Sequence, residues 1–257
     1  MTYRPREIAP RLARALRDVP VVVLTGMRQT GKTTLLQQDP ALRGRRYLSL
    51  DDFATYEAAQ RNPEALLEGE EPITIDEAQR VPELMRAIKL RVDRRRRPGQ
   101  FLLSGSANFR LLKSITESLA GRAVYLTLHP MHRREILGTT NLPLFLRHML
   151  ENGAPPKQLS LHPFQSQEIL RGGMPTVALR QVGDPGVWFQ GFAQTYLERD
   201  LRDLSQVADL TMFRTLLRLA ALRNGQILNQ SELARDAKLT MTTAARYLSL
   251  LETSFLI

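Results

Sequence analysis

A loop rich in hydrogen-bond donors follows a short apolar run near the start of the chain. Residues 21–36 read VVVLTGMRQTGKTTLL, in which Gly26, Gly31, Lys32 and Thr33 have the spacing G-x-x-x-x-G-K-[ST]. Glycines in such a loop reach backbone angles that other residues avoid, so successive N–H groups can point inward at phosphate oxygens. The pattern predicts a phosphate-binding loop between a buried strand and a helix. The alternative is a glycine-containing turn that binds nothing.

The parts of this loop have separate chemical roles in binding a nucleoside triphosphate with Mg²⁺. We expect Lys32 to reach the β- and γ-phosphates and the hydroxyl of Thr33 to ligate Mg²⁺. The helix that begins near Lys32 adds the positive end of its dipole. The residues expected to bind ATP are those of the loop and the first helical turn, namely Gly26, Met27, Arg28, Gln29, Thr30, Gly31, Lys32, Thr33 and Thr34.

Two adjacent carboxylates end another apolar stretch, ITIDE at 73–77. The carboxyl ends of parallel strands line the phosphate crevice, so we expect this strand to neighbour the first one. Asp76 would then hold Mg²⁺, and Glu77 would polarise the water that attacks the γ-phosphate. An acidic pair in this position is also typical of a helix cap or a turn. The loop upstream favours the catalytic interpretation.

Three further residues are candidates for contact with the γ-phosphate. The segment LLSGSAN offers Ser104 and Ser106 as a polar sensor at the end of the next strand, and the sequence does not choose between them. The alternative is a serine-rich turn that caps the following helix. Arg122 follows a glycine at a predicted helix–strand junction, from which a guanidinium could act as an arginine finger. A solvated arginine is an equally good interpretation of that position.

The composition limits the class of protein. The 257 residues include no cysteine, which excludes disulfides, thiolate metal sites and a cysteine nucleophile. The hydrophobic content of 43% is sufficient for a packed core. We expect a soluble, cytoplasmic protein with no membrane partner, because the charged N-terminus is unlike a signal peptide and no apolar run approaches the length of a membrane span.

Positive charge is concentrated in parts of the chain. The formal net charge is +10, with basic residues in 1–46 and 80–97 and an acidic segment at 51–77. This distribution is compatible with DNA binding, for which the arginines within 43–46 and 94–97 are the candidates. The alternative is a solvated arginine-rich surface that partly neutralises the acidic segment and a bound triphosphate.

Strands and helices alternate through the first half of the chain. The predicted strands lie at 21–25 and within 46–52, 73–79, 100–107 and 123–128, and helices are predicted before, between and after them. This alternation predicts an α/β fold in which a parallel sheet is covered on both faces. Residues 141–205 have no strand periodicity and are expected to be mostly helical. The apolar ending FLI indicates that the chain is a fragment.

The order of these motifs resembles a family of prokaryotic AAA-like ATPases that carry a C-terminal domain of unknown function. The segments that carry the resemblance are LTGMRQTGKTTLL, YLSLDD, ITIDEAQRVPEL, FLLSGSAN, ESLAGR, LHPMHRREI, ILRGGMPTVAL and TYLERDLRDL. The resemblance implies a P-loop NTPase core, a winged helix and a nuclease-like domain that is missing here. It also implies that Arg28, Gln29 and Arg122 belong to the nucleotide site. Thr74, which interrupts the apolar strand before Asp76, departs from the family pattern.

On this basis we divide the chain into three parts. They are an AAA-like ATPase core at 1–137, a mostly helical lid or connector at 138–205 and a helix-turn-helix segment, expected to be truncated, at 206–257. In the last part, apolar residues stand where a helix-turn-helix buries its core, at Leu233, Ala234, Leu239, Ala244, Leu248 and Leu251. Ser231 and Thr240 are expected to cap the two helices, and Lys238 stands where the turn usually carries glycine. Residues 224–257 have no net charge, which favours a structural or protein-binding role over DNA reading.

We therefore expect an ATP-binding protein, and specifically a Mg²⁺-dependent ATPase that couples hydrolysis to movement of the winged helix. The alternative is a nucleotide-gated DNA- or protein-binding regulator with negligible turnover. A P-loop small-molecule kinase is less favoured, because the adjacent Asp76 and Glu77 suit activation of water. An oligomer is compatible with the sequence.

Overall fold

A parallel β-sheet lies at the centre of the first half of the chain. The computed structural model describes residues 3–105, 119–157, 162–195 and 210–257. Its strands are β1 (Val21–Thr25), β2 (Arg46–Ser49), β3 (Ile73–Asp76), β4 (Phe101–Ser104) and β5 (Ala123–Thr127). Their spatial order is β2-β3-β4-β1-β5, and every pairing is parallel. The predicted α/β class and the five predicted strands are confirmed.

Helices cover both faces of this sheet. They are α1 (Ala9–Asp18), α2 (Lys32–Gln38), α3 (Phe53–Arg61), α4 (Pro63–Leu66) and α5 (Leu84–Arg94), followed after β5 by α6 (Arg133–Leu137). Asp52 caps α3 by accepting from the backbone N–H of Thr55, and Pro63 occupies the first turn of α4, where its missing N–H costs nothing. Most of the helix predicted at 108–121 lies outside the described residues.

Side chains of β1 alternate between two apolar clusters. Val21 and Val23 pack into the cluster that includes the buried residues of α5, whereas Val22 and Leu24 pack into the cluster that includes Leu12 of α1. This alternation is the period of two that a strand imposes on its side chains. Since both faces are covered, β1 is completely buried, and the loop that follows it starts from a fixed position.

Residues at the carboxyl ends of three strands lie at the same end of the sheet. Gly26 follows β1, Asp76 ends β3 and Ser104 ends β4, and all three strands run in the same direction. The expectation that β3 neighbours β1 is wrong, because β4 lies between them. The intervening strand brings Ser104 to the carboxylate instead.

Thr74, the polar residue within the buried strand β3, has a hydrogen-bond partner. Its Oγ1 accepts from Arg45 Nε at 2.9 Å, and the same guanidinium donates to the carbonyls of Ile73 and Gly99 at 2.7 Å. Burial lowers the pKa of Arg45 to about 10. The departure from an apolar strand is thus accommodated by a structural arginine.

The described residues between 138 and 195 are helical wherever they form regular structure, as predicted. The helices are α7 (Phe145–Asn152), α8 (Ser166–Arg171), α9 (Pro175–Ala178) and α10 (Pro185–Thr195). The boundaries of the three proposed domains remain predictions.

Three helices form a separate apolar cluster at the end of the chain: α11 (Leu210–Leu222), α12 (Gln230–Asp236) and α13 (Met241–Thr253). The predicted core positions Leu233, Ala234, Leu239, Ala244, Leu248 and Leu251 are all buried or partly buried in it. Thr240 caps α13 as predicted, but Ser231 does not cap α12. That helix is capped by Asn229, whose side chain accepts from the backbone N–H groups of Ser231 and Glu232.

The turn between α12 and α13 is made without glycine. Lys238 has φ 55°, in the left-handed region that favours glycine, as its position in the motif indicated. Within 210–257 the structure contains no strand. It therefore shows the helices α12 and α13 with the turn between them, but no wing. Over the described part of the chain, no helix combines the length and the apolar character that crossing a membrane requires.

Candidate nucleotide-binding site

The two glycines of the loop adopt conformations that side chains disfavour. Gly31 has φ 91° and stands directly before α2, and Gly26 has φ 148°. A Cβ at Gly26 would lie 2.3 Å from the carbonyl oxygen of Leu128, in the chain that leaves the edge strand β5. Glycine at this position therefore allows the loop to approach neighbouring backbone closely.

The loop is held by its own polar side chains. Lys32 is buried, and its Nζ donates to the carbonyl of Gly26 at 2.8 Å and to that of Met27 at 3.0 Å. The hydroxyl of Thr30, also buried, donates to the carbonyl of Met27 at 2.8 Å. These bonds curve the loop around the lysine ammonium.

The loop and the N-terminus of α2 form one wall of a cavity of about 550 Å³. The predicted loop residues that line the cavity are Arg28, Gln29, Gly31, Lys32, Thr33 and Thr34. The other three, Gly26, Met27 and Thr30, do not line it. Other walls come from the N-terminal segment, through Tyr3, Arg4 and Arg6, and from α9 and the residue after it, through Pro175, Thr176 and Leu179. The volume is within the range of cavities that bind small molecules.

Asp76 is held by four donors. Its Oδ2 accepts from Thr33 Oγ1 and from the hydroxyl of Tyr47, each at 2.7 Å. Its Oδ1 accepts from Ser104 Oγ and, at 3.1 Å, from the backbone N–H of Glu77. The carboxylate is 2% exposed. The structure thus brings together the loop threonine and the acidic residue that the sequence proposed for one metal.

The oxygen donors at this point fit Mg²⁺. Thr33 supplies a hydroxyl and Asp76 a carboxylate, beside the loop that the sequence predicts to bind phosphates. Mg²⁺ prefers hard oxygen ligands, and it is usually bound through one or two protein groups together with the phosphates of the substrate. Two protein oxygens beside a phosphate loop match that pattern.

Glu77 lies in the wall of the same cavity. It follows β3 with φ 55°, a left-handed conformation that is unusual for a residue with a side chain. The side-chain amide of Gln79 donates to Glu77 Oε2. The turn therefore directs a carboxylate toward the cavity, and an amide two residues later fixes its orientation.

The two serine candidates have different outcomes. Ser104 is completely buried and donates to Asp76, so it supports the carboxylate and does not line the cavity. The other candidate, Ser106, lies outside the described residues. The assignment of a γ-phosphate sensor remains a prediction.

Arg122 lies at the end of the sheet opposite the loop. It directly precedes β5, and its carbonyl accepts from the N–H of Val21 at the start of β1. Because the sheet is parallel, the length of β1, about 16 Å for five residues, separates Arg122 from the loop. Its guanidinium is engaged with Asp93, at 2.5 and 3.0 Å. Arg122 does not line the cavity beside the loop, and its assignment as an arginine finger stays a prediction.

Arg6 of the N-terminal segment forms a hydrogen bond to the loop, and no sequence motif indicated this contact. Its guanidinium donates to the carbonyl of Thr30 at 2.7 Å and to that of His129 at 2.7 Å. It also forms a buried ion pair with Glu135 of α6, with Nε and Oε2 3.0 Å apart. The N-terminal segment, the loop and the chain after β5 are thus joined at one cation.

Tyr47 is the second contact that the sequence did not reveal. Burial and the neighbouring Asp76 raise the pKa of its hydroxyl well above the ordinary value, so it is protonated and acts as a donor. Twenty-nine residues separate Tyr47 from Asp76, and only the pairing of β2 with β3 brings them together.

Several of the arginines proposed to contact DNA are already bonded to other groups of the protein. Arg46, like Arg45, donates to a backbone carbonyl within the protein, and Arg95 and Arg97 are paired with Glu70. By contrast, α1 exposes three arginines, Arg11, Arg14 and Arg17, and none of them has an ion-pair partner among the described residues.

Comparison with known proteins agrees with this geometry. Residues 18–137 match a family described as an AAA domain, and residues 165–257 match a domain of unknown function (DUF8612). The fold is similar to that of the Walker-type ATPase PABY2304 of Pyrococcus abyssi, with a TM-score of 0.51 and 18% identity over 93% of this chain and 89% of that one. Residues 18–137 are therefore similar to an AAA domain, and the five-stranded parallel sheet with its flanking helices matches the fold of a P-loop NTPase.

Two mycobacterial proteins are similar over nearly the whole chain. They are the uncharacterized proteins Rv2008c of Mycobacterium tuberculosis and Mb2031c of Mycobacterium bovis, each 34% identical over 255 residues. The match covers 98% of this chain and 52% of each relative, so the chain spans about half the length of these proteins.

Proposed function

We propose that this chain, an AAA-type P-loop protein, binds ATP with Mg²⁺ and hydrolyses it. The observation that carries the proposal is the hydrogen bond between Thr33 and Asp76, with Glu77 in the wall of the same cavity. It supports the proposal because Thr33 and Asp76 would then bind the metal, and Glu77 would act as the general base, beside one phosphate loop. No acceptor other than water is required by this arrangement.

Binding is assigned to the loop and its lysine. The backbone N–H groups of residues 26–33 and the positive end of α2 are suited to the phosphates. Lys32 Nζ, which donates to two loop carbonyls in the structure, would turn by a rotation of its side chain to the β- and γ-phosphates. Arg28 and Gln29 line the cavity beside it.

Thr33 and Asp76 would hold Mg²⁺, which when bound neutralises charge on the β- and γ-phosphates. Glu77 accepts a proton from the attacking water as its oxygen bonds to the γ-phosphorus, and the bond to the β,γ-bridging oxygen breaks. The products are ADP and phosphate. Gln79 keeps one oxygen of Glu77 fixed, which leaves the other for the water.

Hydrolysis would be coupled to the C-terminal helices through α10. Its Trp188, Phe192 and Thr195 line a small cavity of about 270 Å³ together with Arg28 and Gln29 of the loop. Phe192 also packs against the apolar cluster of α11, α12 and α13. One helix thus faces the same cavity as the loop and also packs against the terminal cluster, so a shift of the loop could be transmitted to that cluster through it. A winged helix, as the sequence predicted for 206–257, would be the part that moves.

The test is phosphate release from ATP without any added acceptor. We expect release by the wild-type protein with Mg²⁺, none with EDTA, and none by Lys32→Ala purified in parallel, which controls for contaminating ATPases. Tight ATP binding without phosphate release would favour the nucleotide-gated regulator. Release that appears only when a small-molecule acceptor is supplied would favour a kinase.

A further inference from the structure

Four protein donors fill the hydrogen-bonding positions of the Asp76 carboxylate. Thr33 and Tyr47 donate to Oδ2, each at 2.7 Å, and Ser104 and the backbone N–H of Glu77 donate to Oδ1. A carboxylate offers about four lone-pair positions, two on each oxygen. A water molecule bound to Mg²⁺ is also a donor, so it reaches Asp76 only where one of the four gives up its position.

Three of these donors are poorly placed to leave. The N–H of Glu77 belongs to the backbone of a tight turn, and Ser104 is completely buried at the end of β4. Thr33 can ligate Mg²⁺ through an oxygen lone pair and keep its hydrogen on Asp76. The fourth donor, Tyr47, is a half-buried side chain on β2, the strand at the edge of the sheet.

We propose that the Tyr47 hydroxyl competes with Mg²⁺ for Asp76 and yields its position on Oδ2 to a magnesium-bound water. The inference rests on the proposed function, since it requires Asp76 to serve Mg²⁺. Tyr47 is then a positioning residue that acts on the metal only through Asp76. It raises the Mg²⁺ concentration at which nucleotide binds tightly, because its hydrogen bond to Asp76 must be given up.

The test is the Mg²⁺ dependence of nucleotide binding by the whole chain. Trp188, the only tryptophan in the sequence, lies beside the loop residues Arg28 and Gln29. Energy transfer from Trp188 to a fluorescent, non-hydrolysable ATP analogue reports binding at each Mg²⁺ concentration without turnover. Tyr47→Phe keeps the ring and removes the hydroxyl. The matched control is Tyr56→Phe, because the Tyr56 hydroxyl accepts from Gln60 on the exposed side of α3.

We expect Tyr47→Phe to bind the analogue like wild type in EDTA and to reach tight binding at about tenfold lower Mg²⁺, the effect of one hydrogen bond to a charged group. Tyr56→Phe should titrate like wild type. Tyr47→Leu, which removes the hydroxyl with a different shape, should shift in the same direction, and thermal melting confirms that each variant is folded.

An unchanged Mg²⁺ midpoint, or one moved to higher Mg²⁺, overturns the proposal. So does an equal change in EDTA, because the hydroxyl would then act on the whole pocket and not on the metal. If the wild-type protein binds the analogue with no Mg²⁺ dependence, the proposed role of Asp76 fails, and the inference fails with it. A wild-type protein that responds to Mg²⁺ while Tyr47→Phe does not differ from it overturns only the inference.

Discussion

Arg6 and Glu135 form an ion pair that lies almost entirely inside the protein, with the two side chains 5% and 3% exposed. Glu135 Oε1 also accepts from the backbone N–H of Glu7 at 2.7 Å, and its Oε2 accepts from that of His132 at 3.2 Å. The pair connects the N-terminal segment to α6 across the base of the phosphate loop. It therefore fixes both the fold and one carbonyl of the loop, that of Thr30.

Removal of the Arg6 cation should destabilise the protein strongly. Arg6→Met leaves Glu135 charged, buried and without its cation, and we expect the free energy of unfolding to fall by about 3–5 kcal/mol. The double variant Arg6→Met/Glu135→Gln should recover part of that loss. Urea unfolding measures both.

The control for that experiment is Arg147→Met. Arg147 pairs with Glu151 on the surface of α7, with side chains 72% and 56% exposed, and so exposed a pair contributes little to stability. Equal losses for Arg6→Met and Arg147→Met would show that the buried pair has no special role.

Replacement of Lys32 should abolish tight nucleotide binding. Its ammonium is the side-chain cation that the loop encloses, and each charge-assisted hydrogen bond to a phosphate contributes roughly 1.5–3 kcal/mol. A titration with fluorescent ATP measures the loss in Lys32→Ala, and Lys157→Ala, an exposed lysine of the connector, is the matched control. Unchanged affinity in Lys32→Ala would contradict the P-loop assignment.

Glu77→Gln should separate binding from turnover. The amide keeps the shape of the side chain and removes the base, so phosphate release should fall by about 10²–10⁴-fold while ATP affinity stays close to that of wild type. Glu83→Gln, an exposed carboxylate at the start of α5, should hydrolyse ATP normally. If Glu77→Gln releases phosphate at the wild-type rate, the residue is no more than part of a turn.

The parts of the site that the sequence predicted are those made by local patterns. The two glycines and Lys32 lie within seven successive residues of the loop, and Asp76 and Glu77 stand at the end of a recognisable strand, so spacing alone indicates their chemistry. The contacts of Tyr47 and Arg6 were not predicted, because strand order and chain packing bring them to residues far away in sequence. The position of Arg122 could not be predicted, because a glycine–arginine junction does not indicate which end of the sheet it occupies.

The turn between α12 and α13 offers a test of backbone strain. Lys238 has φ 55°, where a side chain is disfavoured, whereas its neighbour Ala237 has φ −79°. Lys238→Gly should therefore raise the free energy of unfolding by about 0.5–1 kcal/mol, and Ala237→Gly should lower it. Urea unfolding measures the two changes. A loss of stability in Lys238→Gly would mean that the lysine side chain stabilises the turn by more than its conformation costs.

Any DNA affinity should depend on α1 more than on the arginines at 94–97 or on the terminal helices. Arg11, Arg14 and Arg17 are exposed and have no ion-pair partner in the described chain, whereas Arg95 and Arg97 are held by Glu70. Substitution of the three α1 arginines by alanine should weaken binding and flatten the dependence of log K on log salt by up to about 0.9 per lost phosphate contact.

Filter binding over a salt series compares that triple variant with Arg95→Ala/Arg97→Ala, which should change the slope less, and with Arg246→Ala on α13. Residues 224–257 have no net charge, so Arg246→Ala should have the smallest effect. If Arg246→Ala has the largest effect instead, and that effect differs between DNA sequences, then α13 contacts base edges, because phosphate contacts weaken binding to all sequences alike. In that case a nucleotide-gated DNA-binding regulator would describe the protein better than an ATPase that moves a winged helix.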